Sequence, residues 1–357
     1  MPDRRSVLAG AGAWGLLSAA RAPQAYDAVV ARPGAAAPGG RRYASLGEAL
    51  GNAPRAAGRP FRVWLGQGSW REKLTVTASD VWITGEDRQR SVLQFDAAAG
   101  LPGPAGKPWG TSGSATLTVL APGFRADTMT ITNSFDPAGE GRRLSGQGPL
   151  GQQAVALMLA GDSDRAVLRD VDILGYQDTL FVDHGQAVFD GCLIAGTVDF
   201  VFGGGAALLR RCEVRSRVRP GGPTSGGFVA APSTLRTQAT GLVFERCRLT
   251  RERGVGDGAV FLGRPWRPTR SFAGQRYGDP EAAGMAAFLG CWMDAHIAPG
   301  GWTAMSYNGA DAQRHWLQPE EVRFAEWKST GPGAAGSHRG RVMTTAEARQ
   351  LLASLPG

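Results

Sequence analysis

The stretch LRDVDILGYQDTLFVDHGQAVFDGCLIAGTVDFVFGGGAALLRRC, residues 168–212, carries one pattern three times. Leu168-Arg-Asp-Val171, Phe189-Asp-Gly-Cys192 and Leu209-Arg-Arg-Cys212 each open on a large apolar residue and close three places later on valine or cysteine. The closing positions, 171, 192 and 212, lie close to 20 residues apart. Phe244-Glu-Arg-Cys247 and Phe288-Leu-Gly-Cys291 continue the series at longer intervals, as coils with inserted loops do. A period of this length means that each turn of the chain stacks like residues on like. The fold it predicts is all-β: a parallel β-helix whose coils bury a continuous inward ladder.

The rest of the chain agrees. Phe61-Arg-Val-Trp-Leu65, Asp80-Val-Trp-Ile-Thr84, Ala115-Thr-Leu-Thr-Val119 and Met129-Thr-Ile131 are short β-rich runs broken by Gly, Pro or Asp. They do not alternate with helices of 10–15 residues, so a doubly wound sheet is disfavoured. Ser45-Leu-Gly-Glu48 and Thr344-Thr-Ala-Glu347 read as capping boxes, so a short helix is expected near each terminus, covering an open end. Gly/Pro-rich stretches at 96–114, 136–151, 217–227 and 267–284 read as long loops able to wall a cleft.

Composition narrows the function class. The net charge is +8, carried almost wholly by arginine, since lysine occurs only at positions 73, 107 and 328. A basic surface suits a polyanion, whether nucleic acid, anionic lipid or acidic polysaccharide. No Lys/Arg block interleaved with aromatics appears, which disfavours nucleic acid. Arg4-Arg5 precedes an apolar run from Val7 to Leu17, and Ala20-Arg21-Ala22 fits a cleavage site. Residues 1–22 therefore read as a removable, Tat-like signal peptide too short to span a bilayer, and 23–357 as one exported domain, periplasmic or extracellular, working as a monomer. No integral membrane segment is expected in the mature protein. Export permits disulfides. Cys192 and Cys212, one short coil apart, are expected to bridge on adjacent rungs, with Cys247 and Cys291 free. The cysteines and the four histidines form no metal-ligand spacing, so no metal or other cofactor is expected.

The chemistry concentrates in four strings: Gln153-Ala-Val-Ala-Leu157, Gly175-Tyr-Gln-Asp-Thr-Leu-Phe181, Gly196-Thr-Val-Asp-Phe-Val-Phe-Gly203 and Leu262-Gly-Arg-Pro-Trp266. Asp178 and Asp199 are about one coil apart, which predicts neighbouring rungs roughly 4.8 Å apart on one face. Two carboxylates so close cannot both ionise freely. One then acts as nucleophile and the other as general acid. This reading leaves several carboxylate-pair hydrolases open.

These strings resemble those of the pectin methylesterase family. So do Gly68-Ser-Trp-Arg-Glu72, Ser114-Ala-Thr116, Gly227-Phe-Val-Ala-Ala-Pro-Ser233, Phe324-Ala-Glu-Trp327 and Gly331-Pro-Gly-Ala334. The resemblance implies a right-handed parallel β-helix that hydrolyses methyl esters of pectin, or of a methylated oligogalacturonide. It implies Asp199 as nucleophile and Asp178 as acid and then base. Gln153 and Gln177 become oxyanion donors, and Arg264 the partner of Asp199. Trp266 and Phe202 become flat faces for sugar rings, with Met305 lining the same cleft. The chain departs from the family at Trp70 and Phe181, where tyrosine is usual. A different ester such as a thioester, cleavage of the polysaccharide backbone, and a noncatalytic polysaccharide-binding role are the competing readings. A Ser-His-Asp esterase is excluded by the lack of a G-x-S-x-G elbow.

Overall fold

The computed structural model describes residues 26–54, 58–104, 106–139, 151–219 and 226–355. The expected signal peptide and the middle of two expected loops, 140–150 and 220–225, lie outside them. Two parallel sheets wind around one core as a right-handed parallel β-helix. The smaller sheet takes one strand from each coil: β1 (Leu74–Val76), β2 (Leu117–Val119), β3 (Leu157–Leu159), β4 (Leu180–Val182), β5 (Val201–Gly203), β6 (Gly227–Pro232) and β7 (Val260–Gly263). Among the described residues the larger sheet holds eighteen strands. Arg125–Asn133 and Ala166–Leu174 are long enough to pair along both of its limbs and join them.

The repeat does what its period requires. Ile131, Ile173, Ile194, Val214, Leu249 and Met293 lie in register, one per coil, all wholly buried. Leu168, Phe189, Leu209, Phe244 and Phe288 form a second column. The Phe244 and Phe288 rings stack with centroids 4.3 Å apart. Each such side chain contributes about 1.5–3 kcal/mol on burial. The third position of the repeat varies because its role is a backbone one. Asp170, Gly191, Arg211, Arg246 and Gly290 all have positive φ and turn the corner between the two limbs of the large sheet.

The cysteines occupy the closing position of that corner as a ladder of four buried free thiols. The expected Cys192–Cys212 disulfide is therefore corrected. Each sulfur donates to a carbonyl one coil back: Cys192 to Leu168, Cys212 to Phe189, Cys247 to Leu209 and Cys291 to Phe244, at 3.2–3.5 Å. The four sites are equivalent, so nothing singles out one pair.

Both terminal helices form, and they cover different surfaces. In α1 (Leu46–Gly51), Ser45 Oγ accepts from Glu48 N, while Glu72 of the GSWRE string accepts from Leu46 N and Gly47 N. Leu46 and Ala49 then enter the central core beside the first strands. In α2 (Thr345–Ala353) the Thr344–Glu347 box is complete. Its Ala348, with Leu351, Leu352 and Leu355, covers the outer face of the large sheet over Val188, Leu208, Val243, Ala287 and Ala325. The expected loop 267–284 contains a hairpin, β8 (Thr269–Phe272) with β9 (Gln275–Gly278). A second hairpin follows, β10 (Met305–Asn308) with β11 (Arg314–Leu317).

Candidate active site

The small sheet brings the quoted strings together. Leu180 pairs with Val201, so Asp178 and Asp199 take the same place on successive coils, two residues before β4 and β5. Asp178 N donates to Val198 O across the gap. Both aspartates have left-handed backbones, φ 62° and 50°. Aspartate tolerates that region better than most residues, and here it stands at the entrance of two neighbouring strands with both side chains buried. The motif glycines make the turns possible. A Cβ on Gly196 would come within 2.2 Å of Phe200 Cβ, and one on Gly175 within 2.7 Å of Thr179 Oγ1. Thr179 Oγ1 bonds to the carbonyls of Tyr176 and Ala195, tying one turn to the next.

Arg264 follows β7 directly and reaches back two coils. Its Nε donates to Asp199 Oδ1 at 2.9 Å and its Nη2 to Oδ2 at 2.7 Å. The two-point grip fixes the plane of the carboxylate. The guanidinium lies 3.9 Å above the Phe228 ring. Burial would lower the Arg264 pKa, but the Asp199 carboxylate more than offsets it. Asp178 differs. It is buried, with Asp199 beside it, and both effects push its carboxyl well above the usual carboxylate range. Arg264 and a hydrogen bond from Gln177 offset this only in part. The site thus pairs a gripped carboxylate with one that holds its proton.

The glutamines flank this pair. Ala154 N donates to Gln177 O, which sets Gln153 and Gln177 on neighbouring coils. Gln153 Oε1 accepts from Gly151 N at 2.8 Å. Trp266 is half-buried over Phe181 and Phe202, edge-on to both at 6.2 and 5.7 Å. Phe202 does not present an open face. It is 3% exposed and stacked on Phe181 at 4.2 Å, so it supports Trp266 from below. Phe181, which departs from the family, belongs to that stack and is also buried. Met305 opens β10, two residues beyond Thr303, whose N bonds to Gly263 O beside Arg264.

Sequence reasoning assigned no role to three residues here. Phe228 belongs to the Gly227-Phe-Val-Ala-Ala-Pro-Ser233 string, but only the fold shows it beneath Arg264. Arg217 braces the GYQD turn, donating to Gly175 O and Tyr176 Oη. Arg219 lines a small recess with Gln152, Tyr176 and Gln177. The two arginines sit in a Gly/Pro-rich stretch that gives no local signal.

Comparison with known proteins agrees with the geometry. The family model described as Pectinesterase matches residues 27–350. The chain is 39% identical over 340 residues to Pectinesterase A of Dickeya chrysanthemi, covering 94% of this chain and 91% of that protein. A solved pectin methylesterase from Erwinia chrysanthemi superposes with a TM-score of 0.85 at 39% identity, covering 92% of this chain and 95% of the other. One from Yersinia enterocolitica gives 0.81 at 39% identity, covering 86% and 96%. With matches spanning nearly its whole length, the chain belongs to the pectinesterase family.

Proposed function

We propose that this chain is a carboxylic ester hydrolase that removes methyl groups from pectin. The single observation that carries the reading is the Arg264-gripped Asp199 beside a buried, proton-retaining Asp178. An Asp199 oxygen attacks the methyl-ester carbonyl carbon. The amide N–H groups of Gln153 and Gln177 stabilise the oxyanion. The C–O bond to the methoxy group breaks as Asp178 delivers its proton, and methanol leaves. The result is an acyl-aspartate anhydride. Asp178, now ionised, takes a proton from water, and the hydroxide cleaves the anhydride. The products are a galacturonate carboxylate, methanol and one proton, and both aspartates return to their starting states.

Trp266 offers an apolar platform for a sugar ring, Met305 is proposed to line the same cleft, and the chain's basic charge favours the polyanionic product. The working unit is proposed to be a monomer. Export is proposed on the sequence reading of Arg4-Arg5 and the apolar run from Val7 to Leu17. Solved pectin methylesterases in complex with hexasaccharides give the substrate class independent support. The test is methanol release from highly methylated pectin, with polymer viscosity and acyl-thioester hydrolysis as controls. Wild type should release methanol with viscosity retained, and Asp199→Asn should fall by at least ~10³-fold while remaining folded. A folded Asp199→Asn with near-normal activity would remove the proposed nucleophile.

A further inference from the structure

Glu326 ends an apolar column. Leu168, Phe189, Leu209, Phe244 and Phe288 precede it in register, and the next coil places a carboxylate there. A charge at the end of such a column must be paired. Trp302 Nε1 donates to Oε1 at 3.0 Å, and His338 Nδ1 lies 2.9 Å from both oxygens. That hydrogen bond holds the His338 imidazole above its ordinary range despite burial. The carbonyl of Gly333 adds to the effect. Other nearby charges are engaged elsewhere. Arg339 pairs with Glu320, Arg341 with Glu347 and Arg251 with Asp294, and the Lys328 ammonium lies over Trp327.

The pair connects to the active site through one rung of backbone. Trp302 is wholly buried and stacked on Phe324 at 4.1 Å. It bridges in parallel to Gly263, the last residue of β7. Leu262 N donates to Gly301 O at 2.6 Å, and Thr303 N to Gly263 O at 3.1 Å. Arg264 is the next residue of the chain. The His338 ring also rests on this rung. A Cβ on Gly301 would come within 2.5 Å of His338 Cγ, at a φ of 61° that itself favours glycine.

We propose that Glu326 and His338 are positioning residues: they anchor the Gly301–Thr303 rung, and that rung fixes the end of β7 and so the aim of Arg264 at Asp199. The inference rests on Asp199 and Arg264 being the working pair. His338 carries its charge below its raised pKa and loses it as pH rises through that value. The support therefore weakens on the alkaline side.

The experiment compares kcat, KM and thermal melting for wild type, Glu326→Gln, His338→Ala and His338→Asn, each assayed where it is fully folded. Glu326→Gln and His338→Ala should lose about tenfold in kcat, with KM within about twofold, because a small misaim of a catalytic partner acts on the rate. His338→Asn retains an N–H toward Glu326 without a titrating ring. It should recover most of kcat and lack the alkaline decline that His338 gives the wild type. Unchanged kcat in the first two variants, with only a lower melting temperature, would overturn the proposal and leave the pair purely structural. An active Asp199→Asn would instead overturn the reading on which it rests.

Discussion

The two sheets of this β-helix turn an apolar column outward, and the molecule treats them in opposite ways. On the large sheet, Val188, Leu208, Val243, Ala287 and Ala325 stand in register and lie beneath the C-terminal helix. On the small sheet, Met158, Phe181, Phe202 and Ala231 stand in register, and the half-buried Trp266 packs against them. The first column is a packing surface because protein completes it. The second column is buried as well, but it runs beside the carboxylate pair, and the side chain packed on it, Trp266, is only half-buried and keeps part of its indole exposed. In a coil where every strand alternates in and out, what covers the outer face separates scaffold from site.

Breaking the small-sheet side should give the larger effects. Arg264→Lys keeps a positive charge but cannot reproduce the planar two-point grip on Asp199, so kcat should fall about a hundredfold with little change in melting temperature. Steady-state methanol release and a thermal melt check both halves. On the other face, Ala348→Asp buries an unpaired carboxylate against the large sheet. It should cost about 3 kcal/mol of stability, read from denaturant melts, and leave kcat unchanged below the transition. A matching loss of kcat would mean that the two faces are coupled.

The smallest expected effect is a gain. The folded-state pKa of Asp178 is raised, by burial first and by Asp199 second. Its contribution to stability is therefore fully present below the unfolded carboxyl pKa and is lost as pH rises through the folded value. Above that value an ionised Asp178 burdens the fold. Asp178→Asn should abolish most activity yet raise Tm by ~2 °C at neutral pH, with no gain near pH ~3. Melting curves at the two pH values check the sign.

Local sequence settled the coil and the placement of its two aspartates. The apolar-x-x-Cys repeat could be read because stacked parallel strands put identical positions on top of one another, so periodicity in the chain becomes a column in space. Asp178 and Asp199 were legible for the same reason, since one coil of separation is one rung. Arg264 was legible only through its string, because nothing in a 65-residue separation announces a bidentate grip. The fold alone decided the rest. It held the four cysteines as thiols, because equivalent corners offer each sulfur a carbonyl. It turned Phe202 from platform into support, because Phe181 occupies its face. It laid the C-terminal helix on a flank, where the outward column needed cover. It also joined Glu326 and His338 to the strand that ends at Arg264. Such outcomes depend on which surfaces meet, and a chain records its own order but not its neighbours across coils.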